Sequence, residues 1–362
     1  MSIIDQLFDI GTSTWLDDLS RDRITSGNLG EIKASKSIKG VTTNPAIFAK
    51  AMSAGTAYDA QLAELKAARS DVDTAVYAMS VKDVQDACDL FADVFAATDG
   101  RDGRVSIEVD PRYAADEART VAHAAELARL VDRPNVMIKI PATDESLPAI
   151  TATLAAGISV NVTLIFSVGR YRQVIDAYRE GLRQAAANGH DVSAIHSVAS
   201  FFVSRMDTEV DNRLETIGTD EALALRGQAG IANARLAYQL FLDEFSDPAA
   251  LPAGANKQRP LWASTGVKNP AYPADMYVTE LAGPDTVNTM PEATLDAVIE
   301  AGELKGDTLT GTAEDAQAVF ARLAAVGIDI DDVVSVLERE GVEKFVDAWQ
   351  DLLDSMSANL AD

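Results

Sequence analysis

The sequence is poor in the residues that form disulfides and bind metal ions. Its 362 residues include one cysteine, Cys88, and three histidines, His123, His190 and His196. A single thiol cannot form an intramolecular disulfide. The histidines show no ligand spacing with one another or with Cys88. We therefore expect neither a disulfide framework nor a metal site.

Long apolar runs, nucleotide-binding motifs and clustered cations are missing as well. No stretch is apolar and long enough to span a bilayer, and the first residues do not form a basic segment followed by an apolar run. There is no Walker or dinucleotide glycine motif and no nucleophile-elbow serine. The 56 acidic and 31 basic side chains give a formal net charge of −25, which disfavours nucleic acid and anionic membranes as partners. We expect a cytoplasmic protein without a cofactor, and the sequence leaves open whether it is a monomer or a homodimer.

Short apolar runs alternate with longer helical patterns along the whole chain. Helical patterns are clearest at residues 116–130 and 170–187. Eight strands that alternate with helices favour a closed (β/α)₈ barrel, with an open doubly wound sheet as the alternative. No linker divides the chain, so we expect one domain of residues 1–362, in which helices from about 291 to 362 pack on the barrel. The strand-like runs are residues 13–16, 38–43, 105–109, 136–140, 158–166, 195–200, 261–264 and 277–281.

One lysine, Lys139, interrupts the apolar strand signal of Val136-Met137-Ile138-Lys139-Ile140-Pro141. Burial of an ammonium group among such neighbours is unfavourable and lowers its pKa. A desolvated lysine is a nucleophile for carbonyl groups and can form a Schiff base. Taken alone, the pattern fits equally well a lysine at a strand end that reaches water.

Polar residues also occur near the carboxyl ends of other predicted strands, where a parallel sheet covered on both faces should be apolar. Because the active site of a barrel lies at that end, we predict that these residues converge with Lys139 at one mouth. Each has a structural alternative, such as a helix cap at Asp17, a turn at Asn44 or a salt bridge between Glu108 and Lys139. The polar residues are Asp17, Thr42, Asn44, Ser106, Glu108, Asp110, Ser159, Asn161, Thr163, Ser200, Trp262 and Ser264.

Several motifs of the chain, in this order and on these strands, resemble those of the transaldolase family. They are Val41-Thr42-Thr43-Asn44-Pro45, Ser106-Ile107-Glu108-Val109-Asp110-Pro111, Met137-Ile138-Lys139-Ile140-Pro141, Asn161-Val162-Thr163-Leu164-Ile165-Phe166-Ser167, Ser200-Phe201-Phe202-Val203-Ser204-Arg205 and Leu261-Trp262-Ala263-Ser264-Thr265. Together these motifs are specific, and they cover the chain from strand one to strand eight.

The resemblance implies a (β/α)₈ barrel and an aldol reaction without a cofactor. Lys139 would attack the ketone of sedoheptulose 7-phosphate or fructose 6-phosphate. Cleavage would leave a dihydroxyacetone unit on Lys139, and glyceraldehyde 3-phosphate or erythrose 4-phosphate would then accept that unit. The expected partners are therefore sugar phosphates.

The resemblance also implies a role for individual residues. Glu108 would assist Schiff-base formation through a water molecule held by Thr163. Asp17 would act on the substrate hydroxyl whose proton leaves during cleavage, with Asp18 as the alternative if the register of strand one differs. The remaining expected substrate contacts are Asn44, Asn161, Ser200, Phe202, Arg205 and Ser264, with Arg205 on the phosphate.

The chain departs from the family pattern after strand seven. Members of the family carry an arginine two residues after the strand-seven serine, whereas this chain has Gly266 there, and the nearest cation is Lys268. We expect Lys268 to contact the phosphate instead, with a solvated surface charge as the alternative.

Three other functions remain open from the sequence. The nearest is that of fructose 6-phosphate aldolase, a relative that releases free dihydroxyacetone and has glutamine at the position of Glu108 and tyrosine at that of Phe202. The others are a sugar-phosphate isomerase or dehydratase without a covalent lysine and a non-catalytic barrel with a structural lysine. Trapping of a Schiff base separates these possibilities.

Overall fold

Eight parallel strands close into a barrel in the computed structural model, which describes residues 2–361. Each strand pairs with the next in sequence, and the eighth pairs with the first, which confirms the predicted (β/α)₈ barrel. The strands are β1 (Thr12–Leu16), β2 (Gly40–Val41), β3 (Arg104–Glu108), β4 (Val136–Pro141), β5 (Val160–Ile165), β6 (Ser197–Phe202), β7 (Arg259–Ala263) and β8 (Thr286–Met290).

Seventeen α-helices precede, connect or follow these strands within residues 2–361. Two of them confirm the helical patterns predicted at 116–130 and 170–187, and none is long and apolar enough to cross a membrane. The helices are α1 (Ile3–Ile10), α2 (Arg21–Thr25), α3 (Asn28–Ser35), α4 (Pro45–Met52), α5 (Asp59–Ala67), α6 (Val72–Leu90), α7 (Ala92–Ala97), α8 (Glu117–Val131), α9 (Leu147–Ala155), α10 (Val168–Ala187), α11 (Ser204–Ile217), α12 (Asp220–Leu223), α13 (Ala229–Glu244), α14 (Met276–Thr279), α15 (Glu292–Ala301), α16 (Ala313–Ala325) and α17 (Ile330–Ala361).

The prediction of the eighth strand at residues 277–281 was wrong. That segment includes most of the short helix α14, and the strand follows at Thr286–Met290. A run of five residues with only three apolar or aromatic members, Tyr277, Val278 and Leu281, cannot distinguish a strand from one buried helical turn. Here Tyr277 is buried, and its polar atoms are satisfied: its hydroxyl donates a hydrogen bond to Asp207 and its carbonyl accepts one from Asn288.

The side of strand β7 that faces the mouth also differs from the prediction. Trp262 packs in the apolar core between the strands and the surrounding helices, where its indole N–H donates a hydrogen bond to the Leu281 carbonyl. Leu261 and Ala263 instead belong to the apolar core inside the barrel. Ser264 nevertheless reaches the mouth, because its φ of 55° interrupts the alternation of the strand.

Two apolar cores hold the molecule together. One lies between the strands and the surrounding helices. The other runs from the inside of the barrel, at Met137 and Leu261, to the C-terminal helices α16 and α17. Helix α17 contacts α4, α6, α11 and β5, so it passes over the carboxyl end of the barrel. Helices α15, α16 and α17 form the C-terminal part of the chain, as the predicted extra C-terminal helices require.

Candidate active site

The carboxyl ends of the strands open into a cavity of about 280 Å³. Side chains of seven strands or of the segments directly after them line it, together with residues of α17. Nine of the eleven predicted site residues lie in the wall of this cavity, namely Asp17, Asn44, Lys139, Thr163, Ser200, Phe202, Arg205, Ser264 and Lys268. The other two, Glu108 and Asn161, are buried next to residues of this wall.

Lys139 and Glu108 form a buried ion pair at the base of this cavity. Their strands, β3 and β4, place them side by side, and Lys139 Nζ lies 2.6 Å from Glu108 Oε1. Lys139 Nζ also donates a hydrogen bond of 2.6 Å to the Thr43 carbonyl. Burial raises the pKa of Glu108 to about 7, although the lysine opposes this effect. A carboxyl group with such a pKa can both release and accept a proton near neutral pH.

Asp17 is the second carboxylate of the cavity. Its Oδ1 accepts a hydrogen bond of 2.7 Å from Thr42, whose hydroxyl lies 2.5 Å from that of Thr289. Asp17 is only partly exposed. Desolvation by the surrounding protein raises the pKa of its carboxyl group, and the positive charge of nearby Lys139 opposes this rise. Asp18 instead accepts a hydrogen bond of 2.9 Å from Arg23. The structure therefore places Asp17, and not Asp18, in the cavity.

A row of hydrogen bonds connects the polar residues below Lys139. Asn161 donates to Ser106 at 3.0 Å and accepts from Ser200 at 2.7 Å. Asn161 is fully buried, so in this state it orients Ser200, which does line the cavity.

Asn44 and Thr163 keep polar atoms available to a ligand in different ways. Asn44 Oδ1 caps helix α4 by accepting a hydrogen bond from Ile47 N at 2.9 Å, so this residue is a helix cap and not the turn residue considered as its structural alternative, and the side chain still lines the cavity. Thr163 Oγ1 is buried without a hydrogen-bond partner among residues 2–361. A buried hydroxyl group that lacks a hydrogen-bond partner and lies beside a polar cavity is well placed to bind water.

Asp110 lies apart from the cavity, although the sequence placed it on the same strand face as Glu108. It follows β3, caps the turn Pro111–Tyr113 and forms an ion pair of 2.5 Å with Arg112. The strand ends at Glu108, so the predicted alternation does not continue to this residue.

The far end of the cavity is cationic. Arg205, at the start of α11, lies 5.2 Å from the centre of the Phe202 ring. Ser264 pairs with the Ser204 hydroxyl at 2.8 Å. A side-chain β-carbon at Gly266 would lie 4.0 Å from Lys268 Nζ. The ammonium group of Lys268 therefore occupies the space into which a longer side chain at position 266 would extend.

Sequence reasoning missed two parts of this site. Thr289 was overlooked because the eighth strand was placed too early in the chain. Lys344, Phe345 and Ala348 of α17 line the cavity, and the Phe345 ring centre lies 5.8 Å from Lys139 Nζ. The helical pattern of the C-terminal residues indicates that they pack on the barrel, but it does not indicate that they cover the mouth.

The barrel and the buried lysine–carboxylate pair at its mouth define a (β/α)₈-barrel enzyme. A family model described as transaldolase/fructose-6-phosphate aldolase matches residues 14–356. The chain is 60% identical over 354 residues to the transaldolase of Mycolicibacterium paratuberculosis and 61% identical over 353 residues to that of Mycolicibacterium smegmatis. Each match covers 97% of this chain and 95% of the relative.

The chain therefore belongs to the transaldolase/fructose-6-phosphate aldolase family, which confirms the resemblance inferred from its motifs.

Proposed function

We propose that this protein is a transaldolase. It transfers a dihydroxyacetone unit from sedoheptulose 7-phosphate or fructose 6-phosphate to glyceraldehyde 3-phosphate or erythrose 4-phosphate through a Schiff base on Lys139. The observation that carries this proposal is the contact of 2.6 Å between Lys139 and Glu108, buried at the base of a polar cavity. The names and high identity of the relatives support the same activity.

The buried pair provides both groups that Schiff-base formation needs. Transfer of one proton from Lys139 to Glu108 gives an amine and a carboxylic acid. The amine adds to the substrate ketone, and the acid returns the proton to the departing hydroxyl group, which leaves as water. A water molecule on the free hydroxyl of Thr163 can carry this proton between them.

Asp17 serves the second half of the reaction. Once the iminium ion has formed, its nitrogen accepts the electrons of the carbon–carbon bond that breaks. Asp17 takes the proton of the substrate hydroxyl that becomes the aldehyde oxygen, and the aldose phosphate leaves. The three-carbon unit stays on Lys139 until a second aldose phosphate reverses these steps.

Reductive trapping tests this assignment directly. The protein is incubated with fructose 6-phosphate and borohydride, and the modified lysine is located by mass spectrometry of peptides. We expect an adduct on Lys139 that is absent in Lys139→Met and unchanged in the exposed-site control Lys82→Met. An adduct on another lysine, or no adduct in the active enzyme, would refute the mechanism.

The acceptor separates transfer from simple aldol cleavage. With erythrose 4-phosphate present, a transaldolase forms sedoheptulose 7-phosphate, whereas an aldolase releases free dihydroxyacetone whether or not an acceptor is added. Glu108 favours transfer, since the aldolase branch is expected to have glutamine at this position. Rapid release of dihydroxyacetone without an acceptor would show that the aldolase assignment is the correct one.

A further inference from the structure

A third cationic side chain lines the cavity and comes from a distant part of the chain. Arg205 comes from α11, Lys268 from the loop after β7, and Lys344 from the C-terminal helix α17. These three side chains line one cavity in a protein with a formal net charge of −25. A negatively charged protein that binds an anion needs such a local concentration of cations.

The guanidinium group of Arg205 is incompletely satisfied. Its Nη1 atom is buried and has no hydrogen-bond partner among the described residues. A buried donor without an acceptor is costly, and a phosphate oxygen would supply the missing acceptor with a strong, charge-assisted hydrogen bond.

Lys344 is held by a carboxylate of its own helix that also acts on Arg205. Lys344 Nζ donates a hydrogen bond of 2.6 Å to Glu340 Oε2, one turn earlier. Glu340 also acts electrostatically on Arg205: burial lowers the pKa of Arg205, and the Glu340 carboxylate opposes that effect. One carboxylate thus acts on both cations.

The ion pair between Lys344 and Glu340 is easily exchanged for a better one. The side chains of Lys344 and Glu340 are 57% and 40% exposed, and exposed pairs at this spacing contribute little to stability. A phosphate dianion that carries more charge than Glu340 and also binds Arg205 would draw the flexible lysine stem toward it.

We propose that Lys344 is a ligand of the substrate phosphate, and that Glu340 is the internal counter-ion which this phosphate replaces. The identification of the anion as a sugar phosphate rests on the proposed function. The anion site itself rests on the cavity, the unpartnered guanidinium atom and the position of helix α17.

The test compares Lys344→Gln with Lys82→Gln. Lys82 also forms an exposed ion pair with the residue four positions later, Asp86, but on helix α6, where it does not line the cavity. Two quantities are measured: kcat/KM with fructose 6-phosphate and with unphosphorylated fructose, and the dissociation constant of inorganic phosphate by calorimetry.

We expect Lys344→Gln to lower kcat/KM for fructose 6-phosphate about tenfold and to weaken phosphate binding by a similar factor, as the loss of one charged hydrogen bond predicts. Turnover of fructose stays unchanged, Lys344→Arg retains most of the affinity, and Lys82→Gln behaves like the parent protein. Glu340→Gln binds phosphate more tightly, because the competing carboxylate is gone.

Three results would overturn the proposal. The first is a phosphate dissociation constant of Lys344→Gln within about twofold of that of the parent protein. The second is a loss of kcat/KM with fructose that equals the loss with fructose 6-phosphate. The third is a loss that disappears when salt is raised to about 0.15 M or more, since screening removes long-range attraction between exposed charges. Because calorimetry needs no turnover, an absent Schiff base combined with Lys344-dependent phosphate binding would refute the proposed function and leave this site intact.

Discussion

Replacement of Gly341 tests whether the position of helix α17 controls the site. Gly341 is buried on α17, which packs against strand β5. A β-carbon there would lie 3.0 Å from Phe166 Cε2 and 3.4 Å from Leu164 Cδ2. The absence of a side chain therefore allows the helix to come close enough to place Phe345, one turn later, over Lys139.

The expected effect of Gly341→Leu on stability is small because two contributions oppose each other. Leucine in place of glycine stabilises a helix by up to ~1 kcal/mol. Insertion of a large side chain into a packed contact costs ~1–3 kcal/mol, so the net loss is about 0–2 kcal/mol. The rest of the leucine side chain extends beyond this contact, so we expect α17 to be displaced outward, and a displacement of about 1 Å in a catalytic arrangement can reduce the rate about 100-fold.

The measurements are kcat/KM with fructose 6-phosphate and the thermal unfolding curve. The matched control is Gly169→Leu, another glycine in a helix, where a β-carbon would have no described heavy atom within 4 Å. We expect a 10- to 100-fold lower kcat/KM for Gly341→Leu, with unfolding still cooperative, and near-normal activity for the control. Normal activity of a folded Gly341→Leu protein would refute the idea that α17 positions groups of the site.

Two further predictions concern the carboxylates. Asp17→Asn should still allow trapping of Lys139 but should accumulate the intact ketose adduct, whereas Glu108→Gln should slow formation of the adduct, and a block at the same step in both variants would contradict this division. Since the pKa of Glu108 is raised to about 7, a second proton on the buried pair at lower pH leaves no base to receive the proton of Lys139. We therefore expect kcat/KM to fall as pH drops below about 7, and persistence of this acidic limb in Glu108→Gln would assign it to another group.

Much of the site could be predicted because the barrel requires apolar strands. Any polar residue at the carboxyl end of such a strand needs an explanation, and this reasoning identified Lys139, Glu108 and Ser200 from single strands. The choice of Asp17 over Asp18 depended on the register of strand one, and the structure places Asp17 in the cavity and pairs Asp18 with Arg23.

Errors arose where local conformation broke the alternation on which that reasoning depends. A regular strand would place Trp262 and Ser264 on the same face, but the positive φ of Ser264 turns this residue to the mouth while Trp262 packs outside the barrel. Strand β2 is only Gly40–Val41, and a β-carbon at Gly40 would lie 2.8 Å from the Trp15 ring. Close approaches of this kind depend on residues that are distant in sequence and cannot be derived from a local pattern.

The contribution of α17 to the cavity wall depends on an irregularity in strand β5. The pairing of β5 with β6 shifts between Val162 and Ile165, and Leu164 adopts a φ of 60°. A non-glycine residue in this region costs ~1–3 kcal/mol. As a result Leu164 and Phe166 both join the apolar cluster that includes residues of α17, directly after Thr163 on the cavity wall. Leu164 and Phe166 thus provide apolar surface on which α17 packs, and α17 in turn places Phe345 over Lys139 and Lys344 in the cavity wall.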